Sequence, residues 1–237
     1  MFFMNNIYKK FASFYDKLCS DKFYKDYANF IKKIIEQKKI KNVRILDIAC
    51  GTGRLIEKLK LIGKNIEIEG VEISKEMLSF AKRRNKKIKF YNQEFVKFYT
   101  GGKYNVITCT FDSINYIINK RDLYKTIKNI HRHLDSGGFF IFDFNTIYKK
   151  VKEKLIKNEV LCINTIRDKH WGIQIVIKKG KRVYKERHRE RLYSFGEMKL
   201  ALAKNGFKIT EFYSKFNKKI NQPDKHQRLT IVARKIN

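Results

Sequence analysis

Apolar positions along this chain recur with two different periods, and the changes of period divide it into elements. Between Tyr8 and Gln37 the spacing is helical, with Phe11, Tyr15 and Leu18 followed by Tyr27, Phe30, Ile31 and Ile34. Two helices are expected there, parted at Ser20-Asp21, with Asp21 near a helix N-terminus. "NVRILDIA" is a short apolar run without helical length, so a buried strand. "RLIEKLKLIG" is an amphipathic helix closing at Gly63, and "IEIEGVEI" is a second strand. "SKEMLSFAKRRN" opens a helix on Ser74, with the carboxylate of Glu76 in its first turn. "IKFYN" and "YNVITCTF" are the third and fourth strands, parted by the polar turn Thr100-Gly101-Gly102. "RDLYKTIKNIHRHL" is a helix, and Ser136-Gly137-Gly138 turns into a fifth strand, "FFIFDFN".

Strands alternating with helices imply a parallel sheet with right-handed crossovers, and the unbroken apolar character of the strands fits burial on both faces. From about Lys149 the period shortens. "EVLCINTIRD", "WGIQIVIKK" and "RVYKERHRERLYS" are strand-like, with a hairpin turn at Lys179-Gly180-Lys181, as a small antiparallel insertion would be. "FGEMKLALAKNGF" returns to helix and closes at Gly206. "KITEFYSKF" and "QRLTIVARK" are two last strands, with Pro223 between them. The expected organisation is one α/β domain over 1–237, with a helical cap over 1–38 and the antiparallel insertion over 150–193.

Composition adds limits. A chain of 237 residues can bury roughly 70–75% of its unfolded surface without staples. No apolar run is long enough to span a membrane, and "MFFMNNIYKK" is too short in its apolar part for a secretory leader, so a cytoplasmic protein is expected. Cys19, Cys50, Cys109 and Cys162 form no CxxC pair, and no metal site is expected. The charge is unusual: Lys+Arg 54 against Asp+Glu 23, a formal +31. Two origins fit. Lys, Ile, Asn, Phe and Tyr are abundant and Pro occurs once, as an AT-rich coding sequence would give; alternatively, the field serves an acidic partner.

Chemistry enters at "RILDIACGTGRL". A glycine bend after a strand brings backbone N–H groups and a helix N-terminus close to a ligand. Gly51 and Gly53 fit the first pair of a G-x-G-x-x-G motif, but Ile56 fills the third glycine position. Asp47 ends the strand just before the bend. An acid there suits a ligand bearing an ammonium group and would repel a pyrophosphate; a plain tight turn with an incidental Asp would look the same. Glu72 ends the second strand about twenty residues past the bend, where an acid accepts hydrogen bonds from ribose hydroxyls.

"LDIACGTGRL", followed by "VEISKEML" and "YNQEF", resembles the class I S-adenosylmethionine-dependent methyltransferase family over essentially the whole chain. Within it the chain is most similar to small bacterial enzymes acting on small molecules that begin Tyr-x-x-Phe-Ala-x-x-Tyr-Asp, here Tyr8, Phe11, Ala12, Tyr15 and Asp16. "CTFDSINYI", "FIFDFN" and a His-x-x-Arg-x-Tyr element, His188, Arg191 and Tyr193, are shared too, while Ala49 stands where many relatives carry glycine. The resemblance implies a Rossmann-like α/β fold with a seven-stranded, mostly parallel sheet, helices on both faces, and the β insertion as a lid. It implies S-adenosyl-L-methionine as cofactor and S-adenosyl-L-homocysteine as product. Asp47 would serve the methionine amino group, and Ala49, Gly51 and Gly53 would let the backbone pass the methionine and ribose. Glu72 would bind the ribose diol, and Ile73, Met77, Glu94 and Phe95 would surround the adenine. Phe111 and Asp112 would face the cofactor, and Tyr15 would close over it.

Methyl transfer from a sulfonium is an in-line displacement that needs alignment and exclusion of water, with no metal. Aromatic faces suit the positive sulfur, and Tyr15, Tyr116 and Phe111 are candidates. An amine acceptor must lose a proton, for which Asp112 and His188 are candidates. Asn115, Asp143, Asn145 and Arg191 are further pocket residues. The leading reading is N- or O-methylation of a small molecule. Methylation of RNA or another polyanion through the basic surface is the alternative, against which stands the lack of an Asn-Pro-Pro-Tyr or Pro-Cys element. A non-catalytic cofactor-binding protein and an NAD-dependent dehydrogenase are the remaining readings. Neither oligomeric state nor the identity of the acceptor follows from the residues.

Overall fold

The computed structural model describes residues 8, 11–63, 66–157, 160–214 and 218–236. The stretch read for a leader, residues 1–7 with 9–10, lies outside them, as does the end of the "KITEFYSKF" run at 215–216. The helices are α1 (Ala12–Leu18), α2 (Asp21–Gln37), α3 (Arg54–Ile62), α4 (Lys75–Arg84), α5 (Lys120–His133) and α6 (Phe195–Ala203). The main-sheet strands are β1 (Val43–Ile48), β2 (Ile66–Glu72), β3 (Lys89–Asn92), β4 (Tyr104–Cys109), β5 (Leu134–Asn145), β10 (Phe207–Ser214), β11 (Lys218–Lys219) and β12 (Arg228–Lys235).

This sheet runs β11-β10-β12-β5-β4-β1-β2-β3. Strands β1 to β5 are mutually parallel, and β12, β10 and β11 are added antiparallel at one edge. Side-chain alternation divides the core between two faces. Ile45, Val106, Phe139, Ile141 and Val232 meet α2 and α3, through Tyr27, Ile31, Ile34, Leu55 and Leu59. Leu46, Ile48, Ile107, Phe140, Phe142 and Ile231 meet α5 and α6, through Leu123, Ile127, Ile130, Met198 and Leu202. From β1 the chain moves outward to β2 and β3, then returns to place β4 on the other side. The crevice above β1 and β4 is therefore a topological switch point, where open α/β sheets bind ligands.

A second, wholly antiparallel sheet follows, β6 (Lys154–Lys157), β7 (Val160–Arg167), β8 (His170–Lys179) and β9 (Arg182–Arg191). Val160, Ile175 and Ile177 on it pack against Phe11, Tyr8 and Tyr15 of the N-terminal segment.

The structure corrects three expectations. The main sheet has eight strands, not seven, because the dilysine β11 pairs with Tyr213 and Ser214. The small sheet gains β6, whose "KLIK" has no strand pattern beyond its two apolar residues. The Ser136-Gly137-Gly138 turn is part of β5: Gly137 adopts φ 73°, and the register with β4 slips between Tyr104 and Val106.

Candidate active site

The bend after β1 is built from three left-handed residues, Ala49 (φ 56°), Gly51 (φ 55°) and Gly53 (φ 74°). The two glycines are needed for different reasons. A Cβ on Gly53 would lie 2.8 Å from Nδ2 of Asn85 and 3.1 Å from Ala81, so α3 and α4 pack only on a bare backbone there. A Cβ on Gly51 would meet nothing within 4 Å, so its backbone faces open space.

That space is a cleft at the carboxyl ends of β1, β2 and β4. Of the residues expected to hold a cofactor, Asp47, Ala49, Gly51, Glu72, Ile73, Met77, Phe95 and Phe111 line it, with Tyr15 from α1. Gly53 supports the bend from behind, capping α3. Glu94 falls outside the cleft lining, in a neighbouring depression 3.8 Å from Lys97, and Gln93 takes its place.

Asp47 is 1% exposed and accepts a hydrogen bond from Oγ1 of Thr108 at 2.7 Å. Burial pushes its carboxyl up to about 7; Thr108 offsets part of this, and the nearby Glu72 adds to it. Glu72 accepts from the N–H of Gly51 at 3.0 Å and of Ser74 at 2.8 Å, and burial raises its pKa against those two bonds. The strands bearing these acids are parallel neighbours, with Asp47 opposite Gly70.

Arginines fasten the N-terminal helices over this bend. Arg84 bonds the carbonyl of Thr52 at 2.5 Å and Oδ2 of Asp16 at 2.6 Å, and Thr52 donates to the other oxygen of Asp16 at 2.7 Å. Arg54 donates to the carbonyls of Asp16 and Cys19 and pairs with Asp21 at 3.0 Å. Lys58 and Arg54 hold the Asp21 carboxyl well below the usual range. The clamp sets Tyr15 and Tyr24 in the cleft wall beside Tyr8 and Tyr116. Burial raises the pKa of all four phenols, so they are neutral hydroxyls.

The two expected proton acceptors do not sit with the cofactor residues. Asp112 is absent from the cleft lining, although its neighbours Phe111 and Ser113 are in it. It has φ 52° and does not cap the short 3-10 turn Ser113–Tyr116 that follows. Its carboxylate accepts from Nδ2 of Asn145 and lies 3.5 Å from Arg228. Around it the buried Asp143 accepts from the N–H groups of Phe111 (2.8 Å) and Asp112 (3.0 Å), from Tyr27 (2.9 Å) and from Nε of Arg228 (2.6 Å). Asn115 clasps Asn145 in both directions at 2.9 Å and donates to the carbonyl of Arg191. These residues shape the end of β4 from beneath.

His188 is buried on β9, and its Nδ1 lies 2.9 Å from the hydroxyl of Tyr116, which is 2.8 Å from the hydroxyl of Tyr8. Its Nε2 lies 3.5 Å from Glu186, whose carboxylate accepts from the N–H groups of Tyr8 (3.0 Å) and Phe11 (2.9 Å). Tyr116 lines both the cleft and a broad groove between α5 and the small sheet, which His188 also lines.

Sequence reasoning missed Tyr8 and Tyr24 as walls, since aromatics at helical spacing look like core. It also missed Glu186 and Glu190. In "RVYKERHRER" every second residue, Tyr184, Glu186, His188 and Glu190, turns inward, and Lys185, Arg187 and Arg189 turn out. The period of two was visible there, but not which phase was buried. Burial drives the Glu190 carboxyl far up.

The chain is similar to known methyltransferases. A family model described as "Methyltransferase domain" matches residues 45–138. YqeM of Bacillus subtilis (strain 168) is 35% identical over 148 residues, 60% of this chain and 57% of its own. The chain thus spans less than two thirds of the length of that relative. An uncharacterized protein of Methanocaldococcus jannaschii, MJ1252, is 31% identical over 206 residues, 85% of this chain and 75% of its own. The crystal structure of a S-adenosylmethionine-dependent methyltransferase from Clostridium acetobutylicum ATCC 824 superposes with a TM-score of 0.83 at 29% identity, over 98% of this chain and 100% of that one. A more distant relative is a dTDP-3-amino-3,6-dideoxy-alpha-D-glucopyranose N,N-dimethyltransferase of Streptomyces fradiae, 27% identical over 122 residues, 50% of this chain and 47% of its own.

Proposed function

Because the chain belongs to the class I S-adenosylmethionine-dependent methyltransferases, we propose that it transfers a methyl group from S-adenosylmethionine to a nitrogen or oxygen of a small molecule. One observation carries this reading: two buried carboxylates, Asp47 and Glu72, on neighbouring parallel strands beside the open backbone of Gly51. The cleft that they line joins apolar and aromatic walls to a few convergent polar groups, as small-molecule sites do.

The residues present fit the cofactor. Asp47 would hold the ammonium of its amino-acid end, and the ionised Asp47 is the form that does so. Glu72 accepts two backbone N–H bonds and still has lone pairs for two ribose hydroxyls. Ile73, Met77 and Phe95 supply apolar walls for the base. The cofactor, when bound, supplies a methyl group on a positively charged sulfur. Tyr8, Tyr15 and Tyr24 would help exclude water from the cleft that they line, and the aromatic side chains of Tyr15, Phe111 and Tyr116 in the same lining suit a cation without the strong negative field that would hold it in the ground state. Where the acceptor is an amine, Tyr116 and His188 form a hydrogen-bonded route from the cleft to an imidazole, with Glu186 3.5 Å behind it to stabilise the charge gained. Asp112 orients the β4 end through Asn145 and Arg228. The relative from Streptomyces fradiae, named for dimethylating an amino sugar, supports a small acceptor.

Calorimetry and thermal shift test the cofactor. S-adenosylhomocysteine at a hundred times its dissociation constant should add about 2.7 kcal/mol, roughly 5–11 °C for a chain of this size, and NADH should add nothing. Glu72→Ala should weaken binding about tenfold or more in a protein that still melts cooperatively, consistent with losing charge-assisted bonds to the ligand. Wild-type affinity in that variant would contradict the ribose role.

A further inference from the structure

We propose that the groove between α5 and the small sheet binds a phosphate-bearing end of the acceptor, a pyrophosphate-like dianion or larger. This inference rests on the methyl-transfer reading and deepens it, because Tyr116 lines the groove and the cofactor cleft alike.

Two rows of cations form the groove. Arg121, Lys125, Lys128 and Arg132 come from α5 at intervals of four, three and four, so they share one face of the helix, along about 16 Å. Arg167, Arg187 and Arg189 come from the sheet. The register pairs Thr165 with Gly172 and Gly172 with Arg189, which puts all three arginines on one side of it. All seven side chains are exposed. Among the described residues none of the seven makes a side-chain hydrogen bond or an ion pair. Two acids line the same groove, and both have partners: Glu94 lies 3.8 Å from Lys97, and Asp122 accepts from Asn119 at 2.7 Å.

In a chain of +31, exposed cations alone would mean little. The kind of cation is what separates this groove from the rest of the surface. Arg makes up 13 of the 54 basic residues of the chain, yet five of the eight that line this groove, the eighth being Lys97 beside Glu94. A composition that drifts toward lysine would not concentrate arginine in one place. The guanidinium is a planar fork that grips phosphate oxygens in pairs, which an ammonium cannot do. Walls of arginine on both sides suit a compact polyanion held between them. A single-stranded nucleic acid would want a succession of aromatic platforms, and Tyr116 is the one Phe, Tyr or Trp among the lining residues, at the mouth.

The probe is inorganic pyrophosphate, titrated by calorimetry into the protein with S-adenosylhomocysteine present. Wild type should bind it. The double variant Arg187→Ala/Arg189→Ala should bind about tenfold or more weakly, and Arg187→Lys/Arg189→Lys should fall between, since charge is kept and the fork is lost. The S-adenosylhomocysteine thermal shift should be the same in all three proteins, because neither arginine lines the cleft. Equal pyrophosphate affinity in all three would overturn the proposal, as would no binding to wild type. A short single-stranded RNA binding far more tightly than pyrophosphate, with a salt slope of more than about four phosphates, would overturn it in favour of an extended nucleic-acid site. Loss of S-adenosylhomocysteine binding in wild type with pyrophosphate binding intact would strike the methyl-transfer reading and leave the anion site supported.

Discussion

Asp47 bears a stability penalty that a ligand can relieve. Its carboxyl is held up at about 7, against 3.8 for a free side chain, with burial as the main cause. Between those values the folded chain keeps a proton that the unfolded chain has released. Stability contributed by this site is therefore full below about pH 4, falls as pH rises, and is lost above about 7. Asp47→Asn removes that slope. Measured by urea denaturation without cofactor, the variant should match wild type near pH 4 and exceed it increasingly up to pH 7, by at most about 4 kcal/mol, with no further gain at pH 8. A stability difference that does not change with pH would refute the raised carboxyl. The same variant should lose cofactor affinity, because an amide offers the ammonium no charge. A residue that destabilises the empty protein in this way is best explained by what it binds.

At the scale of elements, legibility followed local pattern. The βα alternation, the bend with Asp47 and Glu72, and the capped helix at Ser74 could all be read, because each is determined within a few residues: Ser74 does accept from the N–H of Met77. What could not be read depends on partners distant in sequence. β11 is two lysines that become strand only by lying beside β10. Asp112 carries the motif of a site acid, but Arg228, 116 positions later, and Asn145 draw it aside. In β9 the alternation was plain, and only the packing of Phe11 and Tyr8 shows which side is inside. The turn from β9 into α6 offers a direct test of a local device. Ser194 and Glu197 form a capping box, and Glu197 also holds Arg191 at 3.0 Å. Burial works against the Glu197 charge, yet the Ser194 N–H and Arg191 bring its carboxyl down to about 2. Ser194→Ala should cost about 1 kcal/mol, a fall of roughly 2–4 °C in Tm by differential scanning calorimetry. No change would mean that tertiary packing alone fixes the start of α6.

For the molecule as a whole the net charge sets the solution behaviour. With Lys+Arg at 54 and Asp+Glu at 23, cations outnumber acids by more than two to one. The acids are concentrated where they fasten elements: Asp16 and Asp21 at the N-terminal clamp, Asp143 against Arg228, and Glu211 between Lys38 and Lys219. The partly buried pairs among them are screened little by salt, while repulsion among exposed lysines acts through water and is screened strongly. The Debye length shrinks from about 10 Å at 0.1 M to about 3 Å at 1 M. Sodium chloride should therefore stabilise this protein, with Tm rising by several degrees over that range until the gain levels off as the longer-range repulsion disappears. Chloride is the anion to use, since sulfate and phosphate would enter a groove of arginines and would also stabilise by exclusion from the surface. A Tm that falls with chloride would mean that the fastening pairs, and not the surplus of lysine, dominate the electrostatics of the fold.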